Sequence, residues 1–219
     1  MEIEKMSDFF TARVDGYDEH MLNEVKGCKE GYVKMAELLP RNTAELLDLG
    51  CGTGLELDEI FKINPDINVT GIDLTQAMLD KLKQKHPDKN MSLINANYFD
   101  CDLGICKYDA VISFQSMHHF SHKDKIKIYT KIYNALKSGG QYIECDYMLT
   151  EQEEEDFYYN ENIRIRKEQG ILNGELYHYD TPCTIDNQIR LLCKAGFETV
   201  KESWRAGNTT IIIAQKQAA

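Results

Sequence analysis

The run Asp48-Leu49-Gly50-Cys51-Gly52-Thr53-Gly54 sets three glycines at alternate positions directly behind an acidic residue. Glycine lets backbone turn through left-handed conformations and come within contact of a ligand, and such a turn opens the next helix with unpaired N–H groups. A dinucleotide fingerprint would need glycine three positions after Gly52, where Leu55 stands, and the Asp48 carboxylate would repel a pyrophosphate. A nucleoside that carries a sulfonium and an ammonium but no phosphate suits a carboxylate there, so the pattern favours S-adenosylmethionine over NAD.

Asp73, in NVTGIDLT, stands nineteen residues beyond Gly54 at the end of the next apolar run. A carboxylate at that place can accept from both hydroxyls of a ribose. Its other role would be to cap the helix that TQAML begins. Joined to the glycine turn at this spacing, Asp73 reads as the ribose ligand.

Such a turn must sit at the end of a buried strand. AELLDLG is a short apolar run suited to a strand covered on both faces. LELDEIFKI then reads as a helix, NVTGIDL as a strand, TQAMLDKLKQKH as a helix opening at a Thr75 cap, and MSLINAN and YDAVISF as strands. From His122 to Lys137, Ile126, Tyr129, Ile132, Tyr133 and Leu136 share one face, and Gly139 and Gly140 end the helix before QYIECDYML. IDNQIRLLCKAGF is a further amphipathic helix, and ETVKESWRA and TTIIIAQK pair as a hairpin about a GN turn. The alternation predicts an α/β fold, a doubly wound Rossmann-like sheet that is parallel except at one edge, with ligands outside the carboxyl ends of its strands.

The pattern divides the chain as one domain over residues 1–219. A helical N-terminal cap covers 1–40, where Met21, Leu22, Val25, Tyr32, Met35, Leu38 and Leu39 recur at helical spacing until Pro40. The cofactor core is 43–147, and a helix with a hairpin fills 185–219. Residues 150–184 interrupt the rhythm and are too many for an ordinary connection, so they are expected to form a lid.

The chain has 219 residues, 42% apolar and 28% charged, the composition of a globular protein. Its net charge of −11, from 25 basic and 36 acidic residues, disfavours a nucleic-acid partner. The seven cysteines lack zinc-knuckle or redox-pair spacing, so they read as reduced thiols and no metal is expected. MEIEKMSDFF lacks the features of a secretory signal and no apolar run could span a bilayer, so a cytoplasmic location and no membrane partner are expected.

LLDLGCGTG, GIDLT, INANYFD and YDAVISFQSMHHF together resemble the class I S-adenosylmethionine-dependent methyltransferase superfamily over about residues 43 to 147. The resemblance implies a seven-stranded sheet with the last strand antiparallel. It places Asp48, Gly50, Cys51, Gly52 and Gly54 near the methionine moiety, Asp73 on the ribose, and Asn97 and Tyr98 beside the adenine. Many relatives carry Asp where Asn97 stands. Leu74, Met78 and Gln115 complete the expected cofactor set, and Tyr17 in GYDEHM resembles tyrosines that lie over the methionine end.

Methyl transfer is a displacement at a carbon already activated by sulfonium, so the protein mainly aligns and excludes water. A thiolate or tertiary amine acceptor needs no base, whereas a hydroxyl or ammonium does. His118, His20 and His178 are the catalytic candidates, and His119, next to His118, carries less weight. Tyr147, Tyr177, Tyr179 and Trp204 are the candidate substrate residues, while Arg164 and Arg166 answer the acidic run before them. A small cytosolic metabolite is the expected acceptor and a homodimer stays open. The rival readings are a tRNA or protein methyltransferase and a non-catalytic module that binds the adenosyl ligand.

Overall fold

A computed structural model describes residues 2–218. Eight strands run in chain order: β1 (Glu45–Leu49), β2 (Asn68–Asp73), β3 (Met91–Asn95), β4 (Tyr108–Phe114), β5 (Leu136–Leu149), β6 (Cys183–Thr184), β7 (Thr199–Ala206) and β8 (Thr209–Gln215). Seven of them form the order β3-β2-β1-β4-β5-β8-β7, and the two-residue β6 pairs with the end of β5. The first five are parallel, as expected for strands joined through helices. β8 is antiparallel to both β5 and β7. The reversed strand therefore lies one place in from the edge, where the hairpin inserts its second strand beside β5.

β1 carries three leucines because both of its faces are covered. Leu47 and Leu49 join the core cluster that contains Ile128, Tyr129 and Leu191, whereas Leu46 joins the one that contains Tyr32, Met35 and Leu57. All three leucines of β1 are fully buried, each stabilising the fold by about 1.5–3 kcal/mol. One face is covered by α6 (His122–Ala135) and α8 (Ile185–Lys194), the other by α3 (Cys28–Leu38), α4 (Leu55–Ile63) and α5 (Gln76–Lys85). The chain reverses direction across the sheet between β1 and β4, which puts a crevice at their carboxyl ends.

Local details differ from the expectation in two places. Helix α6 ends at Ala135 and β5 begins at Leu136, so Gly139 and Gly140 lie inside the strand; a Cβ at Gly140 would meet the Asp109 carbonyl at 2.9 Å. Thr75 precedes α5 but makes no side-chain cap; its N–H instead donates to Asp73 Oδ1 at 2.8 Å.

The N-terminal segment forms α1 (Met6–Arg13) and α2 (Tyr17–Asn23) ahead of α3. Thr53 Oγ1 donates to Asp18 Oδ1 at 2.5 Å and Lys81 Nζ to the Val14 carbonyl at 2.9 Å, which docks these helices over the glycine turn. The 150–184 insertion rises as α7 (Gln152–Glu168) and returns as irregular chain to β6. The returning stretch bridges the N-terminus: Lys5 pairs with Tyr177, Met6 N donates to the Leu176 carbonyl at 3.0 Å, and His178 N donates to the Glu4 carbonyl at 2.9 Å. No helix among the described residues is long and apolar enough to cross a membrane.

The base of α7 is fixed by Glu155, which accepts from Thr184 N at 2.5 Å and Asn187 Nδ2 at 2.8 Å and lies 2.7 Å from His122 Nε2. Burial opposes the Glu155 charge, but His122 and the Thr184 N–H hold its pKa down at about 2. Cys183 and Glu155 raise His122 to about 9. The two signs combine. The lowered carboxyl stabilises above its ordinary value and loses that as pH falls toward about 2, while the raised imidazole stabilises fully below about 6.5 and loses that as pH rises through about 9. The stability deficit of His122→Ala, read from urea midpoints, is therefore expected to be largest near pH 5–6 and to shrink at about pH 10.

Candidate active site

After β1 the chain turns through Gly50, Gly52 and Gly54, whose φ angles are 75°, 47° and 75°. A Cβ at Gly50 would run into the Ser116 side chain, so sterics and backbone both require glycine. The Ile72 carbonyl at the end of β2 receives Gly50 N at 2.8 Å, and Asp73 Oδ2 receives Gly52 N at 2.9 Å. With Thr75 N on its other oxygen, the Asp73 carboxylate ties the loops after β1 and β2 together. Burial raises the pKa of Asp73 and these N–H donors oppose the rise. Each oxygen keeps a further lone pair for a ligand.

A cleft opens at this point. Tyr17, Gly50, Gly52, Asp73, Leu74 and Met78 line it, as do Asn97, Tyr98 and Gln115. Asn97 Oδ1 accepts from Phe99 N at 3.0 Å and its amide donates to Asp100, so the carbonyl has one lone pair left. Tyr98 is held by its hydroxyl 3.1 Å from Ser116 Oγ. Phe120, Ala96 and Leu176 add apolar wall, and neither Lys nor Arg lines the cleft. Among the described residues the lining offers one carboxylate, no Lys or Arg and apolar walls, which match a cationic adenosyl sulfonium and mismatch a diphosphate.

Three of the expected cofactor residues stand behind the cleft, not in it. Cys51 turns its sulfur toward Gly71, where a Cβ would meet it at 2.9 Å, and Gly54 packs on Leu82. Asp48 is fully buried and neither of its oxygens has a hydrogen-bond partner. Burial, and next the neighbouring Glu56, push its pKa well up, while burial raises Glu56 to about 7. Burial and their mutual repulsion thus favour the uncharged form of both carboxyls. Asp48 is therefore not among the residues that line the cleft.

A second cavity of about 1100 Å³ adjoins the first. The two share Phe10, Tyr17, Gln115 and His119, which form a neck between them. Gln115 sits at φ 48°, a conformation uncommon for a residue with a side chain and one that clusters at functional sites. Tyr147 lines this cavity, with its hydroxyl 3.3 Å from that of Tyr158. Neither cavity is lined by Tyr177, Tyr179 or Trp204. Tyr177 is drawn into the bridge with Lys5 and lies under Arg166, and Trp204 packs against the core beneath β7. The Arg164 guanidinium pairs with Glu161 and Glu168 on its own helix, and Arg166 donates to the Leu172 and Glu175 carbonyls, so neither answers the acidic run at the helix start.

The three histidines expected to act on substrate all line the larger cavity, in different states. His20 is exposed and pairs with Glu24 at 2.9 Å. His178 stacks on Phe9 with ring centroids 3.5 Å apart, and burial, with His119 nearby, lowers it to about 4, so it is neutral. His118 Nδ1 lies 2.5 Å from Asp146 Oδ1. Burial works against its charge, yet Asp146 and then Asp180 raise it to about 10, so His118 is a cation near neutral pH and cannot take a proton.

Sequence spacing undervalued His119 and missed Asp180 and Asp146. His118 Nε2 and His119 Nδ1 each lie 3.4 Å from Asp180 Oδ1. The His119 side chain is 4% exposed, and its Nδ1 has no hydrogen-bond partner. Burial, then His118, keep His119 neutral, while the two imidazoles overcome burial to hold Asp180 well below the usual carboxylate range. Two imidazoles and one carboxylate thus converge within 4.8 Å at the cavity wall.

A family model described as a methyltransferase domain matches residues 46–140. A carboxy-S-adenosyl-L-methionine synthase from Nautilia profundicola is 25% identical over 98% of this chain and 96% of its own length. Among solved structures, an O-methyltransferase family protein from Burkholderia thailandensis superposes with a TM-score of 0.71 at 16% identity, covering 98% of this chain. Human N-acetylserotonin methyltransferase in complex with S-adenosylmethionine gives 0.65 at 18% identity over 96% of this chain. This chain spans 64% and 55% of those two structures.

Proposed function

We propose that this chain is a class I S-adenosylmethionine-dependent methyltransferase that methylates a small-molecule acceptor bound in the larger cavity, a reading supported by the methyltransferase-domain match over residues 46–140. The observation that carries the reading is the neck: Phe10, Tyr17, Gln115 and His119 border both the cofactor cleft and the acceptor cavity, so a donor and an acceptor would meet there.

Bound in the cleft, S-adenosylmethionine supplies a methyl group already activated on a positively charged sulfur. Asp73 would hold the ribose, the Gly50 and Gly52 backbone would border the methionine end, and Tyr98, Leu74 and Met78 would enclose the adenine. Tyr17 and Phe10 close the neck against water, which removes the competing nucleophile and fixes the line of approach. For an acceptor that must lose a proton, the neutral His178 ring lines the cavity, although its pKa, lowered to about 4, makes it a weak base. His118, pinned and charged, serves as a positioning residue for Asp180 and Asp146.

Arg13 and Lys26 also line the larger cavity, which suits an acidic molecule. Together with the relative named for carboxy-S-adenosyl-L-methionine synthesis, they favour a second reading in which an acidic molecule held there gives up its carboxylate as its carbon–carboxyl bond breaks, the cofactor methyl carbon takes that carboxyl group, and the proton lost from the methyl replaces it on the donor. Incubation with cofactor labelled in its methyl group, a small-metabolite extract and mass spectrometry decides between the two. Label on a small acceptor supports transfer; a cofactor heavier by one carboxyl group supports the second reading. Label only on RNA or protein would overturn both.

A further inference from the structure

We propose that His118, His119 and Asp180 bind a divalent transition-metal ion at the wall of the acceptor cavity. Their ligand atoms lie within 4.8 Å of one another, a span that a single ion can bridge with small side-chain movements. His119 Nδ1 is buried 3.4 Å from Asp180 Oδ1 with no hydrogen bond, and Asp180, which lines the cavity, is 41% exposed, so one side of the group is closed and the other open. His118 carries the support that ligating histidines need: Nδ1 is fixed by Asp146 at 2.5 Å, which leaves Nε2 to face Asp180.

Charge agrees with this arrangement. Two carboxylates converge on His118, Asp146 at 2.5 Å and Asp180 at 3.4 Å, which suits a divalent cation held by neutral imidazoles. Two imidazoles with one carboxylate select Fe²⁺, Mn²⁺, Co²⁺ or Zn²⁺ over Mg²⁺ or Ca²⁺, and leave positions open for an exogenous ligand. Facing the cavity, those positions fit an acceptor that chelates through paired oxygens, such as a 2-oxo or 2-hydroxy acid. That acceptor class rests on the transfer reading; metal binding does not.

His122, Glu155 and Cys183 form another convergent group. There Lys125 Nζ lies 3.1 Å from the sulfur and already compensates it, so the metal is assigned to the first group.

The test is titration of chelator-treated protein with Co²⁺ alone, followed by visible absorption and calorimetry. Wild type is expected to bind one equivalent. Asp146→Asn should weaken binding by roughly 10–100-fold, and His119→Ala and Asp180→Asn by more, with circular dichroism unchanged. Asp180 lies on the solvent-open segment, so its variant keeps the test valid if His119→Ala does not fold. Absence of stoichiometric binding overturns the proposal, as do unchanged affinity in both ligand variants or loss of binding in Cys183→Ser. Calorimetry with S-adenosylmethionine on the same wild-type sample separates the two readings. Metal uptake without cofactor binding overturns the transfer reading and supports this one; cofactor binding without metal uptake does the reverse.

Discussion

Replacing Asp73 by alanine is expected to lower affinity for S-adenosylmethionine by at least about 100-fold, since hydrogen bonds to a charged group contribute about 1.5–3 kcal/mol each. The carboxylate has two tasks. It would accept from the ribose, and it holds Gly52 N and Thr75 N in the positions that shape the cleft. Asp73→Asn keeps one acceptor oxygen but turns a donor toward one of those N–H groups, so it should fall between wild type and alanine. Titration calorimetry reads the affinity and a thermal melt reads the fold. A variant that still melts cooperatively and binds within about threefold of wild type would remove the cofactor assignment.

The second large effect concerns stability. Lys125 is 1% exposed, with Nζ 3.1 Å from Cys183 Sγ and 3.1 Å from Gln188 Oε1. Gln188 Nε2 continues to Glu144 Oε1 at 2.6 Å, and Tyr142 donates to Glu144 Oε2 at 2.9 Å. Burial opposes the Lys125 charge, but Cys183 and Glu144 raise its pKa, and the ammonium in turn holds the Cys183 thiol down. Burial and Asp146 push Glu144 up to about 7. Lys125→Met conserves volume and leaves those groups without their cation, which should cost about 3–5 kcal/mol. At this chain length that is a fall in Tm of roughly 10 °C, measured by circular dichroism. Adding Glu144→Gln should recover much of the loss, because a neutral partner needs no counter-charge. A Lys125→Met protein as stable as wild type would show that the ammonium contributes nothing.

What the sequence revealed, and what it concealed, follows from the range of the interactions. The glycine turn, Asp73 and the strand–helix alternation are local patterns, so their places in the fold could be read directly. Asp48 could not, because a strand covered on both faces carries no alternation to tell a cleft-facing carboxyl from one sealed beneath the turn with Glu56. Tyr177 and Trp204 were drawn toward the site by composition, yet side-chain direction at each is set by partners distant in the chain, Lys5 and the core under β7. Asp180 reaches His118 and His119 across about sixty residues, and no spacing rule spans that distance. The inward placement of β8 likewise depends on which strand of a hairpin finds β5.

The paired segments near Lys5 and Tyr177 have a kinetic consequence. One wall of the cleft comes from Met6 near the start of the chain and Leu176 far along it, and the main-chain hydrogen bonds between these stretches bind them into a single flap. Swinging one stretch aside would break its hydrogen bonds to the other. Because His178 and Asp180 ride on the same returning segment, displacing the flap to exchange a bound donor would also open the adjoining cavity, so both compartments would have to be rebuilt together.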